Sequence, residues 1–164
     1  MGMITLYHGS NIRVETPRIM PLIRALDFGR AFYMTSSLEQ ATKWARTSAL
    51  RREEGVPTVS VFEIDEGALT ALRVLAFAEP SVEWLRFVSR NRNQGIDDSD
   101  CDLIVGPVAN DNTMPVLNLY FKGAYTEEEA LRRLLPQRLR DQYAFKTDRA
   151  LASVRFVDAK EFAL

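Results

Sequence analysis

Thr58-Val59-Ser60-Val61-Phe62-Glu63-Ile64 alternates in side-chain character with the two-residue period of a half-buried strand, and it is the clearest strand in the chain. Gly55 and Pro57 separate it from a preceding helix, which opens at the S-x-x-E spacing of Ser36 and Glu39, a capping box. That helix carries Ala41, Trp44 and Ala45 on one side and ends in Arg51-Arg52-Glu53-Glu54, read as a solvated face. Further upstream lie two more strands, Ile4–His8 and Ala31–Met34. Gly9-Ser10-Asn11 breaks the first, a loop with Pro17 and Pro21 follows, and Asp27-Phe28-Gly29-Arg30 leads into the second. Downstream, Arg73–Phe77 reads as a strand, Ser81 caps a helix over Val82–Val88, and Asp102–Gly106 is a buried strand ended by Pro107. Thr126 and Glu129 cap a helix through Leu131, Leu134 and Leu135 that Pro136 kinks or ends. Gln142–Phe145 returns to strand, Thr147 caps a short turn through Leu151, and Val154–Val157 closes as strand. Strands spaced this irregularly do not make repeated βαβ units, so the expectation is an α+β fold in a single domain over 1–164.

The composition narrows the function classes. With 46% hydrophobic and 10% aromatic residues the 164-residue chain has ample material for a core. Its 21 Lys and Arg against 22 Asp and Glu leave a formal charge of -1, too weak a field to draw nucleic acid or anionic membrane without a local patch. Cys101 is the single cysteine, which excludes an intrachain disulfide framework and a multi-cysteine zinc site. MGMITLYHGS has neither the basic segment and apolar run of a secretory signal nor, with Leu6 in place of Ser or Thr, a myristoylation motif. No stretch reaches about 18 uninterrupted apolar residues. The expectation is a cytoplasmic protein without a membrane partner.

Three segments carry chemistry when taken together. They are His8-Gly9-Ser10 at the end of a strand, Phe28-Gly29-Arg30-Ala31-Phe32-Tyr33, and Gln142-Tyr143-Ala144-Phe145. Their order and spacing resemble the catalytic core of ADP-ribosyltransferases of the poly(ADP-ribose) polymerase and diphtheria-toxin branch. There a strand ends in His-Gly-Ser, a second segment reads Phe-Gly-x-x-x-Tyr, and a late strand opens with a catalytic Glu. The chain also resembles an uncharacterised bacterial family of the same superfamily whose genes often sit beside a small antitoxin candidate. That second resemblance runs from Leu6 nearly to Phe156 and includes Trp84, Asn91-Arg92 and Gly106-Pro107-Val108-Ala109-Asn110-Asp111.

The resemblance implies a split mixed β-sheet core with flanking helices and NAD as substrate, with no metal. Nicotinamide is a flat cation with a carboxamide, so it needs aromatic faces, here Tyr33 and Trp44, and paired backbone hydrogen bonds, here Gly9. A side chain at Gly9 would obstruct that close approach. His8 would hold a ribose hydroxyl, Ser10 would be an added partner for the amide, and Gln142 would hold the other ribose. His8, Tyr33 and Gln142 are the implied catalytic anchors. The implied activity is transfer of a single ADP-ribose to a macromolecular acceptor, protein or nucleic acid, as the toxin of a toxin–antitoxin pair with a cognate antitoxin. A silent NAD or ADP-ribose reader and an NAD glycohydrolase are the alternatives.

The chain departs from the pattern where charge matters. The usual Glu stabilises the positive ribose that forms as nicotinamide leaves, and Gln142 retains only hydrogen bonds. A unit charge about 4 Å away at an effective dielectric of about 20 is worth ~4 kcal/mol, roughly a thousandfold in rate. Two residues on, where E-x-E and Q-x-E toxins carry their Glu, stands Ala144. Asp111 and Asp141 are the nearest replacements, although Asp141 should face away from Gln142. Asp97–Asp102 reads as a solvated acidic turn, and Arg132, Arg133, Arg138 and Arg140 as a basic helical stripe that is a solvated face, with a contact for NAD phosphates, RNA or a partner as the alternative.

Overall fold

The computed structural model describes residues 2–19, 26–95, 97, 100–109, 112–137 and 139–164. The alternating stretch forms β3 (Thr58–Asp65), flanked by antiparallel β1 (Met3–Ser10) and β7 (Val154–Glu161) in a three-stranded sheet of order β1-β3-β7. A second, mixed sheet has the order β2-β6-β5-β4, built from β2 (Phe32–Met34), β6 (Asp141–Phe145), β5 (Leu103–Pro107) and β4 (Val74–Ala76). Among the described residues only β4 and β5 run parallel. The expected α+β architecture, a split mixed sheet core with flanking helices, is therefore present.

The two sheets join at one isolated bridge, where Tyr7 and Thr35 exchange both backbone hydrogen bonds at 2.8 and 2.9 Å. Continued antiparallel pairing would set Gly9 against Tyr33. Instead the strands part there, and the side chain of His8 takes the Tyr33 carbonyl at 2.8 Å. A cleft opens at that point.

Helix α1 (Leu38–Arg52) lies over β1 and β3, with Ala41 and Ala45 packed on Val59 and Val61. A Cβ on Gly9 would come 2.0 Å from the Ala41 carbonyl oxygen and 2.8 Å from the Ala45 nitrogen, so glycine is what lets the helix seat. The cap of α1 is Ser37, whose side chain accepts from Gln40 N, and not Ser36 as the S-x-x-E spacing suggested. Ser37-x-x-Gln40 is an equally good box one residue on, and Ser36 is drawn instead to Asp141, which accepts from its N–H at 2.8 Å and from its hydroxyl.

On the second sheet, α3 (Val82–Arg92), α4 (Met114–Phe121) and α5 (Glu127–Leu134) enclose a core of Phe28, Trp84, Leu85, Val88, Leu117 and Leu134. The sequence reading passed over α4 because MPVLNLYF is too uniformly apolar to show a helical period; Pro115 in its first turn is compatible with a helix start. The single turns α2 (Glu66–Leu69) and α6 (Asp148–Leu151) are capped by Asp65 and by the expected Thr147. Helix α3 runs past the apolar spacing that ended at Val88, and its extra turn carries Asn91 and Arg92. Among the described residues no helix is long and apolar enough to cross a membrane.

Candidate functional site

The cleft where β1 and β2 part has a volume of about 290 Å³ and collects residues from four elements: His8, Gly9 and Ser10 from β1, Tyr33 from β2, Trp44 from α1 and Gln142 from β6. All six sequence-derived binding positions therefore line one space. Strand periodicity explains much of this. Tyr33 lies opposite Ala144 in the β2–β6 ladder, so it shares a sheet face with Ala144 and Gln142. Asp141 faces the other way, as expected, and clamps Thr35 and Ser36 at the start of α1.

Each polar group has a defined role. His8 stacks on Phe32 with ring centroids 4.1 Å apart, and because a carbonyl can only accept, Nδ1 carries the proton donated to Tyr33. Nε2 is then an acceptor, and no hydrogen bond among the described residues occupies it. Burial pushes the His8 pKa down to about 4, against the opposing pull of its Tyr33 hydrogen bond, so the ring is neutral at pH 7.

Gly9 points its N–H and C=O to the same edge as Tyr7, by the two-residue period. Among the described residues neither group meets a backbone partner. The expected reason for a glycine here was close approach of a ligand; the observed obstruction to a side chain is instead the backbone of α1. Ser10 donates to Asn11 Oδ1 at 3.3 Å, which leaves its oxygen as an acceptor.

Tyr33 spends both valences of its hydroxyl on its own loop, donating to Gly29 O at 2.6 Å and accepting from Phe28 N at 3.1 Å. Burial, reinforced by the nearby Asp27 charge, raises its pKa far above the phenolic range. Tyr33 thus offers a ring face and no proton chemistry.

Gln142 is 3% exposed, in a central strand and not at the sheet edge that a strand-opening Gln suggests. Its Nε2 donates to Asp27 Oδ2 at 2.9 Å and to the Pro107 carbonyl at 3.3 Å. Both partners are acceptors, so the amide orientation is fixed, and Oε1 is the atom left for a ligand.

Asp27 is the residue the sequence reading missed. It is 2% exposed, pairs with Arg92 through Oδ1, and accepts from Ala109 N at 3.1 Å and from Gln142 through Oδ2. Its only signal in the sequence is its place immediately before Phe28-Gly29. The residues behind it complete a second layer: Trp84, fully buried, donates its indole N–H to the same Pro107 carbonyl at 3.1 Å, and Asn91 donates to Phe87 O at 2.9 Å. Asp111, the other candidate acid, lies outside the described residues, as does Arg138.

One peripheral reading changes. Asp97 is not a solvated turn residue: it accepts from Arg30 N and from Lys146 Nζ, each at 2.7 Å, and so ties the Gly29 turn to the end of β6. Asp102 likewise accepts from Arg73 N and Thr147 Oγ1. Arg132, Arg133 and Arg140 do not reach the cleft and meet Glu128, the Tyr125 ring and Glu39 on the surface. Among the described residues no group of three or more His, Cys, Asp or Glu is placed to hold a metal ion.

Residues 4–156 match the family described as Protein of unknown function (DUF3990). The chain belongs to that family. The match reaches from β1 into β7, so every cleft residue of this DUF3990 member, Asp27 and Arg92 included, lies inside it. No curated protein and no solved structure matches the chain.

Proposed function

We propose that the cleft binds NAD and that the protein is a mono-ADP-ribosyltransferase of ADP-ribosyltransferase-like fold. The observation that carries this is the meeting of His8, Gly9, Tyr33, Trp44 and Gln142 in one space, at the point where the sheets part and the Gly9 N–H and C=O are left open. Such a backbone pair complements a carboxamide, which needs one acceptor and one donor side by side. The faces of Tyr33 and Trp44 complement a flat cationic ring, a stacking worth ~1–3 kcal/mol by analogy with bases. His8 Nε2 and Gln142 Oε1 accept from ribose hydroxyls. In the reaction the bond between ribose and nicotinamide breaks, its electron pair leaves with nicotinamide, and the positive ribose carbon is taken by an acceptor nucleophile that then loses its proton. The toxin role, with a cognate antitoxin, follows from the resemblance alone and is part of the same proposal.

One observation favours a second reading. Among the described residues the one carboxylate that lines the cleft is Asp27, one side chain behind Gln142 and already paired with Arg92, so less of its charge reaches a ribose cation. A reader that binds NAD or ADP-ribose without turnover would have this arrangement. Incubating the purified chain with labelled NAD and cell lysate separates the readings. Labelled macromolecule is the outcome expected of a transferase, free ADP-ribose that of a glycohydrolase, and calorimetric binding without turnover that of a reader. Absence of binding to both NAD and ADP-ribose by the folded protein would discard all three.

A further inference from the structure

Helix α1 presents Trp44, Thr47, Ser48, Arg51 and Arg52 to the cleft, positions spaced by three or four residues that form one continuous helical stripe. The stripe changes character along its length, from an aromatic ring through two hydroxyls to two guanidiniums. Among the described residues the cleft lining holds three Arg against a single carboxylate, Asp27, which already serves Arg92, and His8 is neutral. Arg51 makes no hydrogen bond or ion pair among the described residues, and Arg52 has only a 3.5 Å contact to Asn11 Oδ1. The favourable position of basic residues in the last turn of a helix explains their presence there. It does not explain why both line the cleft of a chain whose net charge is -1.

We infer that Arg51 and Arg52 form an anion clasp for a pyrophosphate or phosphate ester, and that α1 fixes the ligand's direction: ring toward Trp44, phosphates toward the helix end. Seven to eight residues of helix separate the two ends, about 10–12 Å, which leaves room for a ring and a sugar before the phosphates. The guanidinium fork suits phosphate oxygens through paired charge-assisted hydrogen bonds. The ring end of this assignment rests on the NAD reading, whereas the clasp itself requires only a phosphorylated ligand.

Calorimetry on the full chain tests it with NAD, ADP, inorganic pyrophosphate and nicotinamide riboside, which has the ring and sugar but no phosphate. The clasp predicts that NAD or ADP binds with an affinity that falls as salt rises, and that Arg51→Gln and Arg52→Gln each weaken binding roughly tenfold, the worth of a hydrogen bond to a charged group. The double variant, checked for an unchanged melting temperature, loses the salt dependence and keeps its affinity for nicotinamide riboside. Binding of ADP or pyrophosphate that the double variant weakens, together with no response to NAD or the riboside, upholds the clasp while removing the NAD reading. Wild-type affinity and salt dependence in the double variant overturn the clasp, as does failure of NAD, ADP and pyrophosphate alike to bind the wild type.

Discussion

The two walls of the cleft are built on opposite principles. Among the described residues the wall from β1 and α1 leaves groups open: the Gly9 N–H and C=O, His8 Nε2, the Trp44 face and the Arg51 guanidinium. The wall from β6, β5 and α3, with Asp27 from the loop before β2, spends nearly all its polar groups on itself, since Asp27, Arg92, Gln142 Nε2, Pro107 and Trp84 satisfy one another in a chain of hydrogen bonds that leaves over Gln142 Oε1. Among the described residues no buried side-chain nitrogen or oxygen lacks a partner. Recognition thus falls mainly to the wall with unused valences, and the braced wall holds the Oε1 of Gln142 still. Buried networks of this kind fail when one member is removed and tolerate an exchange that keeps every partner.

The largest effect expected is on the braced wall. Asp27→Ala leaves Arg92 and Gln142 without their acceptor and should destabilise the fold by about 3–5 kcal/mol, read from the urea midpoint. A loss below about 1 kcal/mol would mean that the network is ornamental and the contrast between walls false.

Gln142→Glu comes next. Adding the carboxylate common to the resembled enzymes sets it against Asp27, whose oxygen now lies 2.9 Å from the amide nitrogen. The single change should therefore lower stability and NAD cleavage together, by repulsion of like charges. The exchange Asp27→Asn with Gln142→Glu restores a carboxylate–amide pair with the charge nearer the ribose, and should raise cleavage above wild type by tenfold or more, within the roughly thousandfold ceiling set above. Equal rates in wild type and exchange would show that this pair does not face the reacting carbon.

Gly9→Ala sharpens the comparison from the other side, because the open wall is tight at one point. The added methyl meets the α1 backbone and should cost about 1–3 kcal/mol by overpacking, with a lower melting temperature even in the absence of ligand. A variant that keeps its stability but loses NAD affinity would restore ligand approach as the reason for this glycine.

The smallest effect concerns pH. His8 has a folded pKa of about 4 against an ordinary 6.5, so the unfolded chain takes up its proton first as pH falls. Its contribution to stability is whole above pH 6.5 and drains away between there and about pH 4. NAD affinity should stay flat from about pH 5 to pH 8, since Nε2 remains an acceptor throughout. A step in affinity centred near 6.5 would mean that the imidazole is hydrated and the pocket looser than its geometry.

The parts legible in the sequence were those governed by short-range rules. β3 announced itself by alternation, α5 by its Thr126 cap, and α6 by Thr147. At α1 the local rule was ambiguous, since two overlapping capping boxes fit and only Asp141, far along the chain, chooses between the serines. Residues at 8, 33, 44 and 142 share no period, so their meeting was readable only through a resemblance, and its physical basis is the parting of the sheets after Tyr7 and Thr35. Asp27 was illegible for a related reason: a single acid in a loop has the same local pattern whether it is solvated or buried against an arginine from α3. Asp97 erred in the same direction, its partner Lys146 standing at the far end of β6.

The two tryptophans of the chain differ in setting, Trp44 half-buried in the open wall and Trp84 fully buried with its indole N–H on the Pro107 carbonyl. Their emission should therefore separate by colour, the shielded indole at shorter wavelength and the partly wetted one at longer. A molecule stacking in the cleft would dim the red component alone, while loss of the Pro107 hydrogen bond would move the blue one. The native protein thereby reports occupancy and bracing as two independent optical signals, without any label.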